Sequence, residues 1–134
     1  MKPLTFCVVV GLLAATSSAE GAAHARVPPK HGFPALGSCY FTHVKAIEGR
    51  LEGDSVTGES GSQVEFRNGV LQVSYETVPG IVRSRVGDKV TMCVVELPAD
   101  CPPGDFRGVV YRTRNWRTKE SWRLPNAEHN CGGA

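Results

Sequence analysis

The chain has 134 residues, a formal net charge of +2 at pH 7, 41% hydrophobic residues and 21% charged residues. This composition is too apolar for an intrinsically disordered protein, and its 15 Gly and 9 Pro interrupt it too often for a helical bundle. No apolar run reaches the roughly 18 residues that a membrane-spanning helix needs. A single small domain without a membrane span is therefore predicted.

The N-terminus has the pattern of a secretory signal peptide. Lys2 precedes an apolar run over residues 4–15, and small residues follow at 16–19 and again at 22–25. This order of charge, apolar segment and small residues predicts cleavage after Ala19, with Ala25 as the alternative site. We therefore expect a signal peptide over 1–19, a flexible Pro/Gly-rich leader over 20–38 and one β domain over 39–134. The expected location is the periplasm or the extracellular space.

Outside the signal peptide the sequence has four cysteines, which are Cys39, Cys93, Cys101 and Cys131. An even number in a small exported domain indicates two disulfides, and three connectivities are possible. We favour Cys39–Cys93, which would tie the first strand to a central strand, and Cys101–Cys131, which would anchor the C-terminal tail. The short C-x(2–4)-C spacing of structural zinc sites does not occur in the sequence. No metal and no other cofactor is predicted.

The rest of the chain reads as short strands separated by Gly- and Pro-rich turns. Strand patterns occur at 39–51 and 89–97, and hairpin patterns at 63–75 and 107–124. The strand at 89–97 is apolar on both parities, which predicts a central strand covered on both faces. With about six strands and no amphipathic helix of ten residues or more, the predicted fold is all-β, a small antiparallel β-barrel or sandwich stabilised by two disulfides.

Asn68-Gly69 is a strong signal for a two-residue type I′ hairpin turn, because both residues tolerate positive φ. With that turn, Phe66 pairs with Leu71. Alternation then places one set of side chains on the core face: Val64, Phe66, Leu71, Val73 and Tyr75. The opposite face receives Glu65, Gln72 and Ser74.

The last hairpin is basic and aromatic. Residues 107–123 carry six Lys or Arg against one acid, Glu120, and contain both tryptophans of the chain. A four-residue loop over 117–120 would place Arg114 opposite Arg123, a like-charge pair that an acidic neighbour or an anionic ligand should offset. It would also turn Val109, Tyr111, Trp122 and Leu124 toward the core.

Guanidinium groups bind phosphate or carboxylate through two hydrogen bonds, and an exposed indole stacks on a base or sugar ring. The predicted binding residues are Arg112, Arg114, Trp116, Arg117 and Arg123. The alternative is an ordinary solvated strand face on which arginine stems cover the aromatic rings.

Several motifs in the C-terminal half resemble a group of small exported bacterial cysteine-containing proteins that have no assigned activity. They are Val86-Gly87-Asp88, the CPPGD segment at 101–105, the turn at 117–122 and the terminal CGGA at 131–134. In similar sequences the turn often carries Gly where this chain has Lys119. The resemblance implies export, paired cysteines and bacterial origin, and it implies no catalytic residues.

These features favour a non-enzymatic binding module with an anionic partner, which could be a polymer, a glycan or a protein surface. One alternative is a small secreted hydrolase of the ribonuclease type that uses His43 and Glu65 around a phosphate held by Arg112. The other is an inhibitor of an envelope or host enzyme. The sequence contains no recognised catalytic motif, so no catalytic residue is predicted.

Overall fold

The structure, a computed structural model, describes residues 27–133. It confirms an all-β fold of six antiparallel strands in a curled half-barrel, with 36% strand and 4% helix. In the sheet, the strands lie in the order β3-β2-β1-β4-β5-β6. The strands are β1 (Cys39–Gly49), β2 (Ser62–Phe66), β3 (Leu71–Ser74), β4 (Lys89–Glu96), β5 (Val110–Asn115) and β6 (Ser121–Pro125), and a single helical turn, α1 (Pro79–Val82), joins β3 to β4.

The strand β4 lies in the middle of the sheet between β1 and β5, as predicted. Its inward residues Val90, Met92 and Val94 are fully buried in the core. Its outward residues Thr91 and Cys93 are only half-buried. The prediction that both faces are covered is therefore wrong, because no second layer packs on the outer side of this strand within the described residues.

The β2–β3 hairpin differs from the prediction by one residue in register. Glu65 pairs with Leu71 and Val64 pairs with Gln72. The turn has three residues, since the amide of Phe66 donates to the carbonyl of Val70 and only Gly69, at φ 85°, has a positive φ in this turn. A type I turn followed by a left-handed glycine is the usual three-residue solution.

This shift exchanges the two faces of β3, because one residue of slip reverses the side chains, although Val73 is still buried at 2% exposure. The prediction that Leu71 lies in the core and Gln72 faces solvent is wrong. Gln72 is fully buried, Leu71 is half-buried, and Tyr75 is exposed.

The buried Gln72 amide links β3 to the other edge of the half-barrel. Its Nε2 donates to the carbonyls of Tyr111 (3.3 Å) and Leu124 (3.0 Å). Its Oε1 accepts from the hydroxyl of Thr113 (2.8 Å) and the indole of Trp122 (2.9 Å). All the hydrogen-bonding groups of the amide are thus used, which makes its burial energetically acceptable.

The β5–β6 hairpin has the predicted faces with a displaced loop. Thr113 pairs with Trp122 and Arg112 pairs with Arg123, so the four-residue loop is 116–119 rather than 117–120. Because the loop moves by one residue on both strands, each side chain stays on its predicted face of the sheet. Val109, Tyr111 and Trp122 are buried as predicted. Lys119 closes the loop at φ 64°, a conformation in which glycine is more favourable.

The helical turn α1 covers one side of the core beneath Trp122. Pro79 stands in its first turn, where the missing N–H costs no hydrogen bond. A Cβ added to Gly80 would lie 2.7 Å from Cε3 of Trp122, so the indole packs directly on the glycine backbone.

Both disulfides have the favoured connectivity. Cys39–Cys93 joins residues that face each other in the β1–β4 ladder. Cys101–Cys131 holds the C-terminal tail, where Asp105 also accepts from the amide of Gly132 (3.0 Å).

The end of the leader contacts the domain. The amide of Gly37 donates to the carbonyl of Val94 (2.9 Å), and the ring of Phe33 meets the ring of Phe106 edge-on at 5.2 Å. The predicted signal peptide lies outside the described residues.

Within residues 27–133, no helix has the length and apolar character required to cross a membrane.

We predict that Gln72→Ala lowers the free energy of unfolding by about 3 kcal/mol, because it leaves Thr113 and Trp122 without an acceptor and opens a cavity. Urea unfolding followed by fluorescence measures this. The control is Gln63→Ala, at a half-buried position of β2, which should change stability by less than about 0.5 kcal/mol. Equal effects of the two substitutions would show that the amide does not hold the two edges together.

Candidate functional site

The outward side chains of β1, β4, β5 and β6 form one continuous surface, which we call the outer face. Strand register aligns them in rows across the sheet. One row contains the disulfide Cys39–Cys93 and continues into Arg112 and Arg123. The next row contains Phe41, Thr91, Arg114 and Ser121.

Arg112 and Arg114 project from neighbouring outward positions of β5 and are both exposed. Among the described residues neither forms an ion pair or a side-chain hydrogen bond. Arg112, rather than the predicted Arg114, lies opposite Arg123. Arg123 is ion-paired with Glu96 at the end of β4, so an acidic neighbour does offset part of the like-charge pair.

Trp116 lies in the β5–β6 loop and turns back over β4. Its indole Nε1 donates to the hydroxyl of Thr91 at 2.8 Å, and its backbone amide donates to the carbonyl of Lys89 at 3.0 Å. The side chain is 44% exposed. The ammonium of Lys119 stands 5.8 Å from the ring centroid, close to the limit of a cation–π contact.

Two further residues belong to this surface and were missed in the sequence. Phe41 lies on β1 directly opposite Thr91, and Lys89 places its ammonium 5.7 Å from the Phe41 ring centroid. Period-2 alternation along β1 places Phe41 on the face opposite to that of Tyr40. This pattern does not show that β4 lies between β1 and β5.

Arg117 occupies a different environment from the other predicted binding residues. Its guanidinium donates to both carboxylate oxygens of Asp88 (2.7 and 2.8 Å) and to the carbonyl of Arg83 (2.7 Å). These contacts tie the β5–β6 loop to the turn before β4. Arg117 therefore positions the loop that carries Trp116.

The buried Asn115 completes this support. Its Nδ2 donates to the hydroxyl of Ser84 (2.9 Å) and to Asp88 (2.8 Å), and its Oδ1 accepts from the amides of Arg117 (2.8 Å) and Thr118 (3.2 Å). The loop is consequently held on both sides by satisfied hydrogen bonds, and no buried side-chain N or O atom of residues 27–133 lacks a partner.

The donors around Asp88 lower the pKa of its carboxyl group to about 2. The side-chain hydrogen bond from Arg117 is the largest cause, partial burial opposes it, and the Asn115 amide and the backbone amide of Arg85 add to the lowering. The carboxylate is thus charged, and it binds Arg117, over the whole physiological pH range.

The three residues of the hydrolase alternative are not brought together. His43 lies on the outer side of β1 opposite Lys89, whereas Arg112 lies opposite Cys93, four residues further along β4, or about 13 Å. Glu65 lies on β2 on the other side of β1 and binds the ammonium of Lys45 at 2.6 Å. In the described part of the chain, no three His, Cys, Asp or Glu residues are placed to hold a metal ion.

A concave surface lies between the leader and the tip of the β2–β3 hairpin. This cleft has a volume of about 390 Å³, and its floor includes Phe106 and Tyr111. Burial, with a smaller effect from Tyr40, raises the pKa of Tyr111 to about 12, so its hydroxyl stays neutral. The side-chain amide of Asn126 in the cleft wall is hydrogen-bonded to the backbone of Phe106 and Gly108, so it is not free to bind a ligand.

Comparison with known proteins identifies no relative: no family model matches the chain, and no curated protein and no solved structure is significantly similar to it.

We predict that Asp88→Asn is less stable than the wild type at pH 7 by on the order of 1–2 kcal/mol, because the folded-state pKa is depressed. This stability is present above the unfolded-state pKa of about 4 and is lost as the pH falls toward about 2. The difference in the free energy of unfolding between the wild type and Asp88→Asn should therefore decrease as the pH falls from about 4 to about 2.

Denaturant unfolding at pH 7, 4 and 2 measures this effect. The control is Glu76→Gln at an exposed position, which should change the free energy of unfolding at pH 7 by less than about 0.5 kcal/mol. A difference for Asp88→Asn that persists unchanged to pH 2 would contradict a stabilising role of the charged carboxylate.

Proposed function

We propose that this protein is an extracytoplasmic binding module, periplasmic or secreted, that docks an anionic polymer on its outer face. The likeness of its C-terminal half to small exported bacterial proteins is part of this proposal. We assign no catalytic step to this protein.

The observation that carries the proposal is the exposed pair Arg112 and Arg114, which have no carboxylate partner in the described chain. The other two predicted arginines, Arg117 and Arg123, are ion-paired with carboxylates. Lys89 and Lys119 form no ion pair among the described residues, and they add to the positive charge of this surface. Adjacent arginines on a rigid strand suit a chain of phosphate, sulfate or carboxylate groups, each of which can accept two hydrogen bonds.

The location rests on two independent features. Disulfides form and persist in oxidising compartments, and this small domain has two of them. Residues 1–19 have the charge, apolar run and small residues of a signal peptide.

We predict that the exported protein begins at Glu20 or, with the alternative cleavage, at Arg26. N-terminal sequencing and intact mass of the protein recovered from the periplasm or medium measure this. The mass should also show no free thiol. A product that retains Met1 and stays in the cytoplasm with all five cysteines alkylatable would contradict the proposed location.

We predict that Arg112→Ala/Arg114→Ala elutes from an immobilised polyphosphate column at clearly lower salt than the wild type. Each lost phosphate contact should reduce the slope of log affinity against log salt by about 0.7–0.9. The matched control is Lys30→Ala/Arg67→Ala, which removes two exposed positive charges away from the outer face. Equal elution of both double variants would mean that net charge, and not this surface, causes retention.

A further inference from the structure

The outer face carries two aromatic side chains next to each other. Phe41 lies directly opposite Thr91 on the neighbouring strand, and the Trp116 indole is bonded to the Thr91 hydroxyl at 2.8 Å. The two rings therefore lie over adjacent strands of the sheet. Phe41 is half-buried and Trp116 is 44% exposed, so part of the ring surface is open to a ligand.

Two arginines that form no ion pair within residues 27–133 lie beside the rings, and one lysine ammonium stands near each ring, 5.7 Å from the centre of Phe41 and 5.8 Å from the centre of Trp116. Arg112 and Arg114 lie on β5, two residues apart, so their Cα atoms are separated by about 6.6 Å along the strand. Phe41 and Trp116 lie over β1 and β4, to one side of the two arginines. The spacing of the two arginines is similar to that of successive phosphates in an extended single strand. The rings lie in the row of Arg114, so a base next to the phosphate bound there can project toward them.

Resting on the proposed function, we infer that the anionic polymer is single-stranded nucleic acid, with bases stacked on Phe41 and Trp116 and phosphates bound by Arg112 and Arg114. Stacking on aromatic side chains beside a positively charged surface is how proteins bind single strands without sequence preference. A duplex covers its base faces and cannot make these contacts.

The two tryptophans supply a direct readout of stacking. Trp116 is exposed, whereas Trp122 is 7% exposed and bonded to Gln72. Quenching of tryptophan fluorescence by a base therefore reports on Trp116. The experiment titrates the mature disulfide-bonded protein with oligothymidylate of about 12 nucleotides, and in parallel with polyphosphate, heparin and a DNA duplex.

We predict that oligothymidylate quenches the fluorescence of the wild type and that, in calorimetric titrations, which need no tryptophan, Trp116→Ala and Phe41→Ala each weaken its binding about 5- to 100-fold. Polyphosphate binding should change less than twofold in both variants, because it has no bases. The control is Tyr75→Ala, which removes an exposed aromatic ring outside the outer face. Thermal melting checks that each variant folds, and Phe41→Leu replaces Phe41→Ala if the latter does not.

Three outcomes would overturn the inference while the proposed function stands. One is that the aromatic variants bind oligothymidylate as tightly as the wild type does. Another is that heparin is bound more tightly than oligothymidylate and shows the stronger dependence on the rings. The third is that the duplex binds as well as the single strand. Failure of the proposed function is a different result, in which Arg112→Ala/Arg114→Ala binds every polyanion like the wild type.

Discussion

The half-barrel depends on one side-chain amide. The two edge strands, β3 and β6, do not share a backbone ladder, and Gln72 bridges the space between them with four hydrogen bonds to β5 and β6. Such bonds are stronger in the low dielectric of a core, and costly if left incomplete. The amide also fixes Trp122, on which α1 packs. The curvature of the sheet, and with it the orientation of the outer face, follows from this contact.

The same residue explains where sequence reasoning failed. The Asn68-Gly69 pair predicted a two-residue turn, and the register that follows from it placed Leu71 in the core and Gln72 toward solvent, where periodicity also expects a glutamine. The actual three-residue turn reverses β3 and buries Gln72, because partners on β5 and β6 satisfy all of its polar groups. Those partners are about 40 to 50 positions away in the sequence. No local pattern contains that information.

The basic hairpin was more predictable, because a loop displaced equally on both strands leaves the parity unchanged. Its arginines and its core residues therefore face the expected sides. The sequence could not predict that Asp88 and Arg117 support the loop that carries Trp116. Nor could it predict that Phe41 and Lys89 lie beside the Trp116 ring. Both arrangements depend on β1 and β5 flanking β4, a strand order that is not sequential. The composition predicted the positive charge of the hairpin, and the order of the strands in the sheet determines which aromatic rings lie next to it.

The two cystine links divide the chain into tandem covalent rings. One closes between Cys39 and Cys93, the other between Cys101 and Cys131, and the two rings do not overlap. A single proteolytic cut inside either ring leaves one covalently joined molecule. A cut in the short connection at 94–100 separates the polypeptide into two pieces that only the sheet and its core hold together. Because 94–96 belong to the central strand β4, the resistance of this protein to proteases depends most on residues 97–100, the part of the connection outside that strand.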